Sequence, residues 1–226
     1  MTKTGDLSPP QLSETVADLL RDRIMSGQLR AGERIRLEQV AEETGLSITP
    51  VREALLMLRA EDMVELQPRR GHVVAPLSRQ DIIDVFAVQG DIAGELAARV
   101  ATGITPDQLE DLRQQHEKLR RAAQARQVTR VEQLEFEFHR SINRLAAARK
   151  LSWLLRAATR YTPSRFYAAN GEWRAAMITD HEALLAALSA GDPAAVRPVM
   201  ARHFNDGAER LVKHLDGLGV WTRDAA

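Results

Sequence analysis

The chain has no cysteine among its 226 residues. That removes disulfides, thiol nucleophiles and cysteine-ligated metals from consideration. It also lacks an excess of either charge, since 31 Lys and Arg balance 31 Asp and Glu. The balance holds locally: the first 76 residues carry 10 basic and 12 acidic side chains. A sequence-independent nucleic-acid coat needs a large basic surface, so that class is disfavoured, whereas a specific reader with a few clustered arginines is not. No apolar run approaches the roughly 20 residues of a membrane span. The N-terminus MTKTGDLSPPQ is polar and does not read as a signal peptide. The expectation is a soluble cytoplasmic protein whose residues 1–10 form a disordered arm. Internal repeats and low-complexity tracts are missing as well.

The most informative stretch that is present runs from Ile24 to Val74. Leu37, Val40 and Ala41 give a short helix its apolar face, and Gly45 stops it, because glycine tolerates the left-handed conformation of a sharp helix end. Ser47 is a suitable N-cap for the next helix, and Pro50 falls in its first turn, where a missing N–H costs little. Val51, Ala54, Leu55 and Leu58 recur at helical spacing and must face inward. Ile48, Thr49 and Arg52 then face outward near the helix start. Met63 to Leu66 and His72 to Val74 read as two short strands, joined by a turn at Pro68-Arg69-Arg70-Gly71. Helix, tight turn, helix and hairpin is the order of parts in a winged helix-turn-helix, which lays its second helix in the DNA major groove. Arg52 has the reach and paired donors for guanine O6 and N7 or for a phosphate. The DNA-contacting set expected from this pattern is Arg36, Ser47, Ile48, Thr49, Arg52, Arg69, Arg70, Gly71 and His72.

A boundary falls near Ala75-Pro76-Leu77-Ser78, where proline ends the hairpin and Ser78 to Asp81 resembles a capping box. Beyond it the pattern is helical, with helices expected at roughly 79–101, 106–127, 129–147, 150–168, 172–190 and 193–215. Thr105-Pro106-Asp107-Gln108 and Gly191-Asp192-Pro193 punctuate them. Loops this short imply antiparallel neighbours, so the fold class is mainly α: a winged helix-turn-helix with a β-hairpin wing, followed by an all-α antiparallel helical bundle. The divisions expected are an arm at 1–10, a DNA-binding domain at 11–77, a helical domain at 78–218 and a tail at 219–226.

Three histidines of the second half lie on apolar helix faces. His139 sits among Leu134, Phe138, Ile142 and Leu145, His181 heads the stripe Leu184, Leu185 and Leu188, and His203 shares a face with Val199 or Met200 and Leu211. Each alone is more often a satisfied core group than a ligand. Glu135, however, stands one turn before His139 and points the same way. Glu137 is a competing carboxylate on a different face. Imidazoles and a carboxylate suit zinc, nickel, iron or manganese, and bundle cores are natural sites for them. No paired general base and oxyanion stabiliser accompanies the set, which favours sensing over turnover. The rival readings are a metal-dependent enzyme acting on a small organic acid with an attached DNA-binding module, a purely structural metal, and an interaction protein that uses the wing surface for a protein partner.

The chain resembles the GntR family of bacterial transcription regulators, through Gly27, the run Pro50-Val51-Arg52-Glu53-Ala54-Leu55, and Arg70-Gly71. The helical half resembles the FadR-like, FCD-type effector domain of that family, and the likeness extends from about Leu12 to Leu215. The resemblance implies a homodimer on a two-fold DNA operator, controlled by a small organic acid bound at a divalent metal. It implies metal ligands at Glu135, His139, His181 and His203, with zinc or nickel foremost. Three positions depart from the family pattern. Ile48 stands where an arginine is usual, Glu135 where aspartate is usual, and Gln89 where an effector-pairing arginine is often found. Arg99 is a substitute for the last, or a surface arginine. Tyr161, Arg165, Tyr167 and Trp173 gather around a helix end, where they line a pocket or cap the core.

Overall fold

A computed structural model describes residues 8–221. They form two compact units. The first takes the chain up to Arg79 and adds the segment from Leu215 onward, and the second runs from Gln80 to His214.

The first unit opens with helix α1 (Pro9–Met25), which begins within the arm expected at residues 1–10; residues 1–7 of that arm lie outside the described residues. Helices α2 (Leu37–Thr44) and α3 (Ile48–Ala60) follow, then strands β1 (Val64–Gln67) and β2 (Gly71–Val74). Gly45 ends α2 in the left-handed region at φ 68°, as its position implied. The strands pair antiparallel with Val64 opposite Val74 and Gln67 opposite Gly71. Arg34 adds an isolated bridge to Val73, so the wing is tied to the segment before α2. Helix α1 packs on α3, and Val16, Ala17 and Leu20 of α1, Val51, Ala54, Leu55 and Leu58 of α3, and Val40, Val64 and Val73 are all buried. Arg21 is buried in this unit and grips Glu61 with two bonds, Nε to Oε2 at 2.6 Å and Nη2 to Oε1 at 2.8 Å. The end of the last helix also belongs here: a Cβ added at Gly27, whose φ is +77°, would lie 2.8 Å from Leu215 Cδ2.

The second unit is all helical among the described residues: α4 (Arg79–Ala101, its first residue counted with the first unit), α5 (Pro106–Gln124), α6 (Val128–Leu145), α7 (Arg149–Ala158), a 3-10 turn (Thr159–Tyr161), α8 (Ser164–Ala169), α9 (Gly171–Ala190) and α10 (Pro193–Leu218). Thr105 caps α5 by accepting from the Gln108 N–H, completing a capping box. One expected element is corrected. The helix expected over 150–168 is broken into α7, the 3-10 turn and α8, because Pro163 lacks an N–H to continue the ladder and pushes Thr162 to an extended ψ of 112°. The core joins Leu96, Ala97 and Val100 of α4, Leu112 of α5, Phe138 and Ile142 of α6, Leu184 and Leu188 of α9, and Val196 and Met200 of α10. Glycines let α4 approach α10: a Cβ at Gly90 would sit 3.2 Å from Ala201 Cα, and one at Gly94 would sit 3.4 Å from Arg197 Cα. No helix among the described residues is long and apolar enough to cross a membrane.

Candidate metal centre and DNA-reading surface

Glu135 and His139 lie one turn apart on the inward face of α6, which is strongly amphipathic and buries Leu134, Phe138 and Ile142. His181 comes from α9 and His203 from α10. One donor atom from each of the four residues lies within 4.8 Å of every other. Glu135 Oε1 is the common point, 3.2 Å from His139 Nε2 and 3.6 Å from both His181 Nε2 and His203 Nε2. Three imidazoles and one carboxylate, converging from three helices, form a donor set that could hold a divalent metal ion. Glu135 Oε2 is buried without a hydrogen-bond partner, as are both ring nitrogens of His181. Orphaned buried polar atoms at one point are costly unless something binds there, so the residues fit the ion that the resemblance implies.

The electrostatics are those of a mixed-charge cluster. Burial would raise the Glu135 carboxyl, but His181, His139 and His203 around it hold it well below the usual carboxylate range. Burial dominates at His181 and keeps it well below the ordinary imidazole value. His203 goes the other way: burial would lower it, but Asp180 and Glu135 push it up to about 9. Phe138 stacks on His181 with ring centres 4.4 Å apart, and Trp173 flanks His203 at 6.3 Å.

Two buried polar residues at this cluster are not singled out by the sequence reading. Asp180 of α9 places Oδ2 3.6 Å from His203 Nδ1, and its Oδ1 accepts from Arg202 Nε at 2.9 Å. His116 of α5 meets the ring of His181 edge-on, with ring centres 5.7 Å apart. Burial lowers the His116 imidazole. Its position between Leu112 and Leu119 on one apolar stripe carried a signal, because only an inward-facing residue shares that spacing. Asp180 adjoins His181 in sequence, but nothing local tells that it faces a different helix.

The other candidate pocket residues are placed elsewhere. Gln89 is buried and engaged at both ends, its Nε2 donating to Ala158 O at 3.0 Å and its Oε1 accepting from Thr162 Oγ1 at 3.0 Å. Arg99 is a surface side chain paired with Glu95 at 2.9 Å. Tyr167 is buried and donates its hydroxyl to Gly207 O at 2.6 Å, while Arg165 is exposed and Tyr161 half-buried.

In the first unit, Ser47, Ile48, Thr49 and Arg52 are exposed together at the start of α3. Ser47 occupies the N-cap position, yet its side chain makes no capping bond. Arg36 is exposed at the start of α2. At the wing, Arg69 sits exposed at φ 65°, and Gly71 at φ 75° completes the turn. Arg70 spends its guanidinium internally, on Gln67 Oε1 and Gly32 O, each at 3.0 Å. His72 is half-buried, and burial beside Arg59 lowers its imidazole.

Comparison with known proteins agrees with both halves. Residues 12–74 match the bacterial regulatory proteins of the gntR family, and residues 84–206 match the FCD domain. The chain belongs to the GntR family, with an FCD-type second domain. It is 29% identical over 122 residues to the HTH-type transcriptional regulator McbR of Escherichia coli K12, a match covering 54% of this chain and 55% of McbR. It is 24% identical over 215 residues to the HTH-type transcriptional repressor RspR of the same organism, covering 93% of this chain and 94% of RspR. The solved structure of E. coli McbR/YncC superposes with a TM-score of 0.69 at 25% identity, over 89% of this chain and 97% of that one. These relatives are named as a transcriptional regulator and a transcriptional repressor.

Proposed function

We propose that this chain is a ligand-responsive transcriptional regulator that reads a two-fold DNA operator as a homodimer and senses a small organic acid at a divalent metal centre. The observation that carries the sensing half is the convergence of Glu135, His139, His181 and His203 within 4.8 Å. Glu135 brings one negative charge and the imidazoles bring none, so a divalent ion held there keeps net positive charge. In a buried site such charge favours an anionic partner. Zinc or nickel suits the donors best, and the ion's chemistry when bound is that of a Lewis acid toward a ligand oxygen.

The reading half rests on the exposed group Ser47, Ile48, Thr49 and Arg52. In a winged helix-turn-helix these positions reach base edges. Ile48 suits a thymine methyl, Arg52 a guanine or phosphate, and Arg69 and Arg36 suit backbone phosphates. Two recognition helices on a two-fold operator require two copies of the chain. Large exposed apolar side chains on the second unit, with Phe136 at 59% and Trp153 at 58% exposure, support a self-association face. Helix α10 carries His203 within the second unit and Leu215 within the first, so it is a covalent route by which a bound acid biases the DNA-binding unit. The bias is limited to the acid's preference for one arrangement over the other.

The test is metal analysis of untagged protein beside His181→Ala, followed by operator titration with and without candidate carboxylic acids. About one divalent ion per chain, lost in the variant, with an acid that shifts DNA affinity only in the metal-bound protein, is the expected result. An equal metal content in both proteins sinks the assignment of the site.

A further inference from the structure

Two buried imidazoles meet behind the donor cluster. His181 is 1% exposed and turns Nε2 toward Glu135 Oε1 at 3.6 Å. His116 comes from a fourth helix, α5, and is 7% exposed. The two rings meet at 63° with centres 5.7 Å apart. All four ring nitrogens of the pair are buried without a hydrogen-bond partner. A ligating histidine almost always passes its second N–H to an acceptor, which fixes the tautomer and the ring orientation. His203 has Asp180 on its Nδ1 side, 3.6 Å away. His181 has no such direct acceptor among the described residues.

Neutral imidazole carries one acceptor nitrogen, so His116 is equipped to receive that N–H. The two rings are direct neighbours, edge-on with centres 5.7 Å apart, so a single water shared at their edges could bond a nitrogen of each. Buried waters characteristically sit where otherwise unsatisfied polar groups meet. A leucine at this position would continue the stripe of Leu112 and Leu119 with no unsatisfied nitrogen. An imidazole here therefore weakens the metal-free core unless it serves the neighbouring ring.

We propose that His116 is a positioning residue of the metal centre, which accepts the Nδ1–H of His181 through one bridging water and holds His181 Nε2 toward Glu135. This rests on the reading of Glu135, His139, His181 and His203 as metal ligands. The role is outer-shell: His116 does not join the four donors that lie within 4.8 Å of one another.

The test uses the full chain stripped of metal, with zinc affinity measured by chelator competition and metal-free stability measured separately. The proteins are wild type, His116→Leu, His116→Gln and His139→Ala. His116→Leu should bind zinc about 10- to 100-fold more weakly, while its metal-free melting temperature stays level or rises because an unsatisfied buried group is gone. His116→Gln, whose amide oxygen can accept through the same water, should recover part of the affinity. A purely structural histidine predicts the opposite pattern, lower metal-free stability with zinc affinity within about three-fold of wild type, and that result overturns the proposal. If His116→Leu fails to fold, His116→Gln decides alone: a loss equal to that of His139→Ala, or no loss at all, counts against it. Wild type and His139→Ala binding zinc equally would remove the metal centre itself, a failure visible without any His116 variant.

Discussion

Asp180 Oδ2 stands 3.6 Å from His203 Nδ1, while the Nε2 of the same ring faces Glu135 Oε1 at 3.6 Å. The imidazole is thus held between two carboxylates, one from α9 and one from α6. A carboxylate behind a ligating histidine orients the ring and raises its basicity toward a metal. Asp180→Ala should weaken zinc binding about 10- to 100-fold, and Asp180→Asn less, because the amide oxygen still accepts the N–H. Arg202→Ala, which removes the partner on the other oxygen, should cost less than either. Chelator competition on metal-stripped protein reads all three; equal affinities across the set would deny Asp180 this role.

The same pair sets a pH dependence. Burial would lower His203, but Asp180 and Glu135 push it up to about 9 in the metal-free protein, against about 6.5 for an unfolded histidine. The folded state therefore holds a proton that the unfolded state has lost. The stabilisation is full below pH ~6.5 and disappears as pH rises through about 9. His181 acts in the opposite sense at lower pH, since burial holds it neutral and its contribution is lost as pH falls below about 6.5. Metal-free protein should therefore be most stable near pH 6.5, with an alkaline decline that His203→Asn abolishes. Zinc affinity should rise over the same alkaline interval, because binding requires the proton to leave His203. Thermal melts with and without zinc check both slopes.

Gly27 is committed to its conformation twice over. Its φ of +77° is one that an L side chain adopts only at a cost of about 1–2 kcal/mol, and a Cβ there would stand 2.8 Å from Leu215 Cδ2 and 3.1 Å from Val220 Cγ1. Gly27→Ala should destabilise the first unit by more than the backbone cost alone, and denaturant unfolding should show it. The smaller Leu215→Ala, introduced with Gly27→Ala, should relieve the clash but not the φ penalty.

For DNA, Arg52→Ala should cost about 1–3 kcal/mol of operator affinity and relax specificity at one base pair. Ile48→Arg, which installs the arginine that the family resemblance leads one to expect, should tighten binding and steepen the salt dependence by about one counterion. Unchanged slopes in salt titrations would place residue 48 away from the phosphates. Arg70→Ala is expected to act mainly on the wing's own stability, since its guanidinium is spent on Gln67 and Gly32.

Much of the fold was legible because its signals are local. Gly45, Pro50, the Thr105 to Gln108 box and Gly191 each act on backbone groups within one turn, so the residue type implies the structure around it. The break at Pro163 was equally local, and apolar periodicity across 150–168 masked it. For the site, Glu135 and His139 could be paired from their spacing on one helix. Gln89 shows the limit of that approach. Its place on the buried face of α4 was readable, but its commitment to Ala158 and Thr162 depends on a chain reversal some 70 residues later.

By itself the sequence determined a winged helix-turn-helix, a helical second half, and three histidines and a glutamate facing inward, since amphipathic spacing and capping dictate which side of an element is buried. Only the tertiary structure decided that α6, α9 and α10 bring those four donors within 4.8 Å, that Asp180 stands behind one histidine, and that His116 stands behind another. Periodicity says that a side chain is inside. Which other side chain it meets there is set by how helices distant in sequence pack, and here that packing includes the close approach of α4 and α10 across Gly90 and Gly94.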